Sequence, residues 1–418
     1  MDMLRIVLII GGLSFSVSVF GQKIAEIRVD VKGESFGGGI PVKINLDSLT
    51  FAVEDSLQLY EIKEGHRNRV SFQVYENEGR ELYWQLSDKD SGEDLRIFEL
   101  WEEAPVRRVK PVLKAVDDGE SLTYRLKGNP LLTYRYALLY PPRGVDTVFK
   151  RGGFIHPLRT IKGQVLTRIQ PSDHYHHYGL WNPWTKVEYR GEIIDFWNLQ
   201  KKEGTVRFGG LVSKTEGNIF GEYQTLHEHV RFDRGGKEEN ILNELQTVRV
   251  YKPLASQDHY LIDFTMEYNN ATAHPVVLKE YRYGGLTMRA TEKWVKENSE
   301  IITSEGLDRN ASDASRAKWL LIQGEADKAW AGVAMLSHPA NYNHPEPLRV
   351  WPEEANGNGE IMANFSPTKD RDWVLMPKQK YVLRYRVAVF DNKLGAQEVE
   401  HFWRAYSRPL RIEVERYD

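Results

Sequence analysis

Alternation with a period of two is the feature that most constrains this chain. Residues 261–268, Leu-Ile-Asp-Phe-Thr-Met-Glu-Tyr, put an apolar side chain at every second position from Ile262 onward. Successive side chains of a strand point to opposite faces, so the inward and outward sets can be read off directly. Short runs at 40–46, 57–61, 70–75, 122–126, 131–139, 242–251 and 381–390 repeat the pattern between turn residues. Helical spacing is scarce, and its best candidates are 398–406 and 313–318. Strands with one apolar face must bury it against another layer, so the pattern implies an all-β protein. Strand spacing places a boundary near residues 103–116. Residues 22–112 read as a small β-sandwich domain and residues 113–418 as a large β domain carrying the functional site, a partition that 418 residues accommodate.

Residues 1–21 read as an export signal. Arg5 provides the positive start, residues 6–20 are apolar apart from Gly and Ser, and Gly21 offers a small residue at the cut. The apolar run is shorter than the ~20 residues that span a bilayer, which disfavours a membrane anchor. A periplasmic or secreted protein is the expectation, with no membrane association after signal removal. The chain contains no Cys, so disulfides, thiol nucleophiles and cysteine-ligated clusters are excluded. A net charge of −3 and the lack of basic runs interleaved with aromatics give no support to nucleic-acid binding. There is also no Gly-x-Ser-x-Gly elbow, phosphate-binding loop or dinucleotide fingerprint.

Candidate chemistry concentrates between Pro171 and Trp197. Asp173-His174-Tyr175-His176-His177 gathers three of the 12 histidines. On an extended segment His174 and His176 share one face, and Asp173, Tyr175 and His177 the other. His-x-His at that spacing can ligate a divalent metal ion, the one cofactor these residues suggest. The same residues suit general acid/base work, with Asp173 orienting an imidazole. Polar loop packing is the competing explanation, and three His with an Asp in five residues weigh against it. Trp181, Trp184 and Trp197 follow closely, either as stacking platforms for a sugar or as core.

Other candidates lie farther off. His156 and Arg159 sit upstream, and Arg159 has the fork that grips an oxyanion. Glu280 and Arg282 share a face of an extended segment before Gly284-Gly285, where the two glycines would let a ligand approach the backbone. Glu280 is the candidate carboxylate base. His227 and His229 form a second His-x-His, adequately explained by exposed alternation. His338 and His344 lie on a Pro-containing loop. The run Asn356-Gly357-Asn358-Gly359 reads as a surface turn.

Taken together, His156-Pro157-Leu158, the run from Pro171 to Trp181, Asp195-Phe196-Trp197, residues 280–286 and His338-Pro339-x-Asn341 resemble an exported bacterial family. That family is labelled "methane oxygenase PmoA" or left as of unknown function, and the resemblance covers residues 115–392. It implies a source among polysaccharide-degrading Bacteroidetes. The oxygenase label belongs to an integral membrane subunit, and this sequence has no span after its signal. Tyr268-Asn269-Asn270-Ala271-Thr272 and the His-rich stretch running into Trp181 more distantly resemble the galactose mutarotase superfamily. That likeness implies a large β-supersandwich with sugar on its concave face, although the superfamily's His-Gly pair is missing and its C-terminal catalytic Glu has no clear match.

The expectation is a secreted carbohydrate-active enzyme that isomerises, eliminates or hydrolyses a sugar or glycoside. His174, His176, Glu280 and Asp173 form the acid/base set, with His174 and His176 as metal ligands if a metal binds. His156, Arg159, His177, Trp181, Trp184, Trp197, Arg282 and His338 bind substrate. The alternatives are a non-catalytic glycan-binding protein and a metal-dependent oxidoreductase.

Overall fold

The computed structural model describes residues 21–31, 39–86, 94–105, 109–233, 235–255 and 257–417. All of the expected export signal except Gly21 therefore lies outside the described residues. The chain is nearly all β, as its alternation implies. The strand His259–Asn270 is buried at Ile262, Phe264, Met266 and Tyr268 and less so at the intervening positions. At 313–318 there is no helix: turns lead into a two-residue strand, Arg316–Ala317. The helix expected near the C-terminus spans Ala396–Ser407 and buries Val399 and Phe402.

An eight-stranded sheet and a nine-stranded sheet share the main hydrophobic core. Long antiparallel strands dominate the first, in the order Gly204–Thr215, Phe220–Phe232, Glu238–Tyr251, His259–Asn270, Lys380–Asp391, Ala329–Ser337, Trp319–Ala326 and Ser299–Thr303. In the second, Phe154–Leu158, Leu180–Trp181, Thr287–Arg289, Met362–Phe365 and Glu346–Val350 run side by side. Four of these short strands adjoin the site: the histidine loop precedes Leu180–Trp181, Tyr283 precedes Thr287–Arg289, and Arg349 and Met362 lie within the last two. A smaller pair of sheets, built from residues 22–102, encloses a separate core around Ile27, Trp84, Phe98 and Leu100. The C-terminal strand Arg411–Arg416 returns to this smaller unit and pairs with Gln22–Asp30.

The two units meet through buried polar contacts. Gln73 Oε1 accepts from the backbone N–H groups of Ile219 and Phe220, at 3.0 and 3.1 Å. Glu222, 2% exposed, binds Arg249 at 2.7 Å within the larger unit and accepts from the Tyr75 hydroxyl of the smaller one, while the Arg249 guanidinium lies 4.8 Å from the Tyr83 ring centroid. A buried ion pair whose cation also stacks on an aromatic ring has little tolerance for sliding, so this joint fixes one unit against the other.

His227 and His229 are not on an exposed face. Both are buried, with His229 Nε2 3.2 Å from Glu244 and His227 Nε2 2.6 Å from the Tyr134 hydroxyl. Their strand Phe220–Phe232 turns these residues toward the other sheet, where a buried network must satisfy them.

Burial holds the imidazoles of His156, His227 and His259 near pKa 4, below the ordinary 6.5. On unfolding they return to 6.5, so below that pH the unfolded chain binds more protons and stability falls. Glu346 opposes this, since burial lifts its carboxyl to about 7 and the folded state holds that proton first. These histidines, to which His176 and His177 add in the same direction, outnumber the one carboxyl and predict a urea midpoint that drops between pH 6.5 and 4.5. A midpoint that stays level or rises across that window would contradict the assignment.

Candidate functional site

The segment 171–177 folds as two consecutive turns rather than a strand. His174 N–H donates to Pro171 O at 2.9 Å and His177 N–H to His174 O at 3.0 Å. The expected split into two faces therefore does not occur. All three imidazoles come together instead, with ring centroids 4.7 Å (His174–His177), 4.8 Å (His176–His177) and 5.4 Å (His174–His176) apart. They form one wall of a cleft of about 490 Å³.

Gly179 allows this loop to dock. Its φ is +63°, and a Cβ there would lie 2.4 Å from Ile155 O. Both conditions exclude any other L-residue without a shift of the backbone. Gly179 also donates to Arg168 O and accepts from Arg289 N–H, which clamps the end of the histidine loop between two chain segments.

Asp173 and Arg289 organise the wall from behind. His174 Nδ1 lies 2.7 Å from Asp173 Oδ2, which also accepts from Asn356 Nδ2 at 3.1 Å and faces Arg289 Nη2 at 3.5 Å. The Arg289 side chain is sealed from solvent and pairs with Glu360, whose other oxygen holds Arg168 at 2.8 Å. Its guanidinium lies 4.6 Å from the Trp351 ring centroid, and its Nε and Nη1 have no partner. Burial pushes His176 and His177 toward neutrality. Desolvation first, then neighbouring positive charge, lowers His176 to about 4 and His177 well below 6.5. Hydrogen bonding to His174 and the charge of Arg289 hold Asp173 ionised against its own burial. The buried Nδ1 of His177 has no hydrogen-bond partner.

The opposite and lower sides come from three other segments. Trp197 and Asn198 follow Asp195, whose buried carboxylate accepts from both backbone N–H groups at 2.8 Å and is paired with Lys201. Arg282 and Tyr283 enter from the segment before Gly284, and the Tyr283 ring sits 4.7 Å from Trp197. Arg349, Trp351, Pro352, Ala355, Asn356 and Met362 complete the lining.

Several candidates lie elsewhere. Glu280 is exposed and outside the lining, and its backbone N–H donates to Asp372 at 2.7 Å. It does not meet the histidines; at this bend its neighbour Arg282 is the residue that reaches the cleft. Gly284 and Gly285 serve close packing within the chain, since a Cβ on Gly285 would lie 2.8 Å from Phe365 O. His156 is bound to Thr167 at 3.0 Å, and Arg159 reaches only Gly163 O, at 3.4 Å. His338 packs on Tyr406, 5.3 Å away. Trp184 is core, against Tyr268 and Trp373. Trp181 is buried behind His177 and Trp197, so among the three tryptophans expected as platforms only Trp197 lines the cleft, itself 1% exposed. Among the described residues, no three His, Asp or Glu side chains are arranged to hold a metal ion.

Trp351, Tyr283, Arg349, Asn198, Arg289 and Glu360 had no local signal strong enough to single them out. Asn356 was visible only as part of a turn, yet it reaches 183 positions back to Asp173.

A sequence profile for a family of unknown function, DUF6807, matches residues 121–404. The chain belongs to that family. The DUF6807 match takes in every residue of the cleft, and it supports neither the oxygenase nor the mutarotase name. A search of curated proteins gave no match. Two solved structures of similar shape are a heparinase III and the heparan sulfate lyase HepC from Pedobacter heparinus, at 9% and 8% identity. The alignments cover 71% and 70% of this chain, 38% of each of those proteins, and give a TM-score of 0.34 in both cases. The chain thus matches well under half the length of either. No helix among the described residues is long and apolar enough to cross a membrane.

Because Gly179 satisfies two constraints at once, Gly179→Ala is expected to lower unfolding stability by about 2–4 kcal/mol in a denaturant titration. A loss below about 0.5 kcal/mol would mean that the loop docks without it.

Proposed function

We propose that this protein is an exported carbohydrate-active enzyme that moves protons on a sugar with histidines as acid and base. The observation that carries the reading is the wall of three imidazoles, with His176 held neutral at ordinary pH and His174 tied through Nδ1 to Asp173. A ring fixed at Nδ1 by a carboxylate presents Nε2 outward, the arrangement a general base requires. A second, neutral imidazole alongside can accept or return the proton.

The lining also favours one class of reaction over another. It contains no Asp or Glu, whereas glycoside hydrolysis ordinarily uses two carboxylates flanking the bond. Isomerisation or elimination, each a proton abstraction and a proton return, suits histidines better. Trp351 and Tyr283 give the cleft an aromatic side against which the apolar face of a sugar ring can lie. Export rests on the apolar N-terminal run.

The test is proton NMR of a panel of saccharides in D2O with the purified protein, which reports anomer exchange, C–H exchange and new double bonds in one experiment. Turnover is expected to fall by at least about 10²-fold in His176→Ala. In the wild type the acid limb should come near pH 4, because only below that does His176 acquire the proton that disables it as a base. Full activity in the variant would remove His176 from the mechanism. Binding of saccharides without any change to them would make this a glycan-binding protein instead.

A further inference from the structure

The charges around the cleft are strongly one-sided. In a chain of net charge −3, the lining carries two guanidiniums, Arg282 and Arg349, and no carboxylate. Behind it, Asp313 is shared: Arg349 Nη1 binds it at 2.6 Å and Lys369 Nζ at 3.2 Å. Lys369 also donates to Arg282 O at 3.1 Å. One carboxylate thus stands among three cations. Deeper in the wall, Asp173 and Glu360 are balanced by Arg289 and Arg168, so they do not offset that excess.

Arg282 is the cation left over. Its guanidinium lies 5.3 Å from the Tyr283 ring centroid, and no carboxylate among the described residues pairs with it. Arg349 is committed through one nitrogen, while its Nε is buried without a partner. An unpaired buried donor is costly unless something outside the chain occupies it. A guanidinium stacked on tyrosine beside a second one is a ready receptor for a planar or tetrahedral oxyanion.

We propose that the cleft selects saccharides bearing an oxyanion, a carboxylate or a sulfate ester, with Arg282 as the group that reads it and Arg349 as its support. This rests on the sugar-directed reading above and narrows it to acidic sugars. Neutral sugars would leave the excess charge unanswered.

The experiment is an NMR binding titration with matched ligands: methyl β-glucoside, methyl β-glucuronide and glucose 6-sulfate, with the corresponding galacto set. The wild type is expected to bind a carboxylate or sulfate sugar at least about tenfold more tightly than its neutral counterpart, with the advantage shrinking in high salt. Comparison of glucuronide with sulfate tells which oxyanion is read. Arg282→Gln should erase most of the preference, weakening the acidic sugar far more than its neutral counterpart. Arg282 is exposed, so the variant should keep the wild-type melting temperature, which serves as the control. Equal binding of neutral and acidic sugars would overturn the proposal while leaving the sugar reading intact. An acidic preference that survives in Arg282→Gln would overturn the assignment to this residue. If no saccharide binds at all, the broader reading falls and the selectivity with it.

Discussion

Arg289 carries a full positive charge on a side chain closed off from water, and the functional end of the molecule is arranged around that fact. Removing a guanidinium from water is expensive unless carboxylates and hydrogen bonds compensate. Glu360 and Asp173 supply that compensation. Asp173 belongs to the histidine loop, and Glu360 follows the Asn-Gly turn. One buried cation therefore draws together two loops that are far apart in sequence, while Trp351 covers it. The carboxylate that answers Arg289 is also the one that fixes His174. Stability and orientation of the site come from the same contacts.

The consequence for chemistry is a matter of protonation. An imidazole in water is divided between its two forms near neutral pH. Here burial, aided by the charges of the neighbouring imidazoles and of Arg289, disfavours the cationic form of His176 and His177 at ordinary pH. Neutral imidazoles can accept protons and cannot repel a cationic rim. The rim itself, at Arg282 and Arg349, remains available to an anion because the nearest carboxylate is already shared. Aromatic residues play a partly structural role: Trp181 packs behind His177 and against Trp197, while Trp197, Trp351 and Tyr283 face the space.

Much of this was legible in the sequence where the relevant signal is local. Period-two alternation gave the all-β architecture because each strand declares its buried face within a few residues, as His259–Asn270 does. The histidine loop was visible because its three imidazoles and its carboxylate are neighbours in the chain. The geometry of that loop was not. Alternation was applied to a segment whose backbone hydrogen bonds make turns, so faces assigned by parity were wrong. Glu280 and Arg282 were separated only by the direction of a bend that packing imposes. The tryptophans could serve as platforms or as core, because large aromatics satisfy a β core equally well; Trp181 and Trp184 are core, while Trp197 lines the cleft. Arg289, Arg349 and Asn356 act through partners dozens to nearly two hundred positions away, and no spacing rule reaches that far.

A pH titration of the protein labelled with ¹⁵N in histidine tests directly whether burial keeps His176 and His177 neutral. Nitrogen shifts report the charge state of each ring without reference to any substrate. The account predicts that the His176 signals keep their neutral pattern until the pH approaches about 4, with His177 neutral throughout the range in which the fold persists. A His176 midpoint between 6 and 7 would show that the wall is solvated like any surface histidine, and would contradict the account.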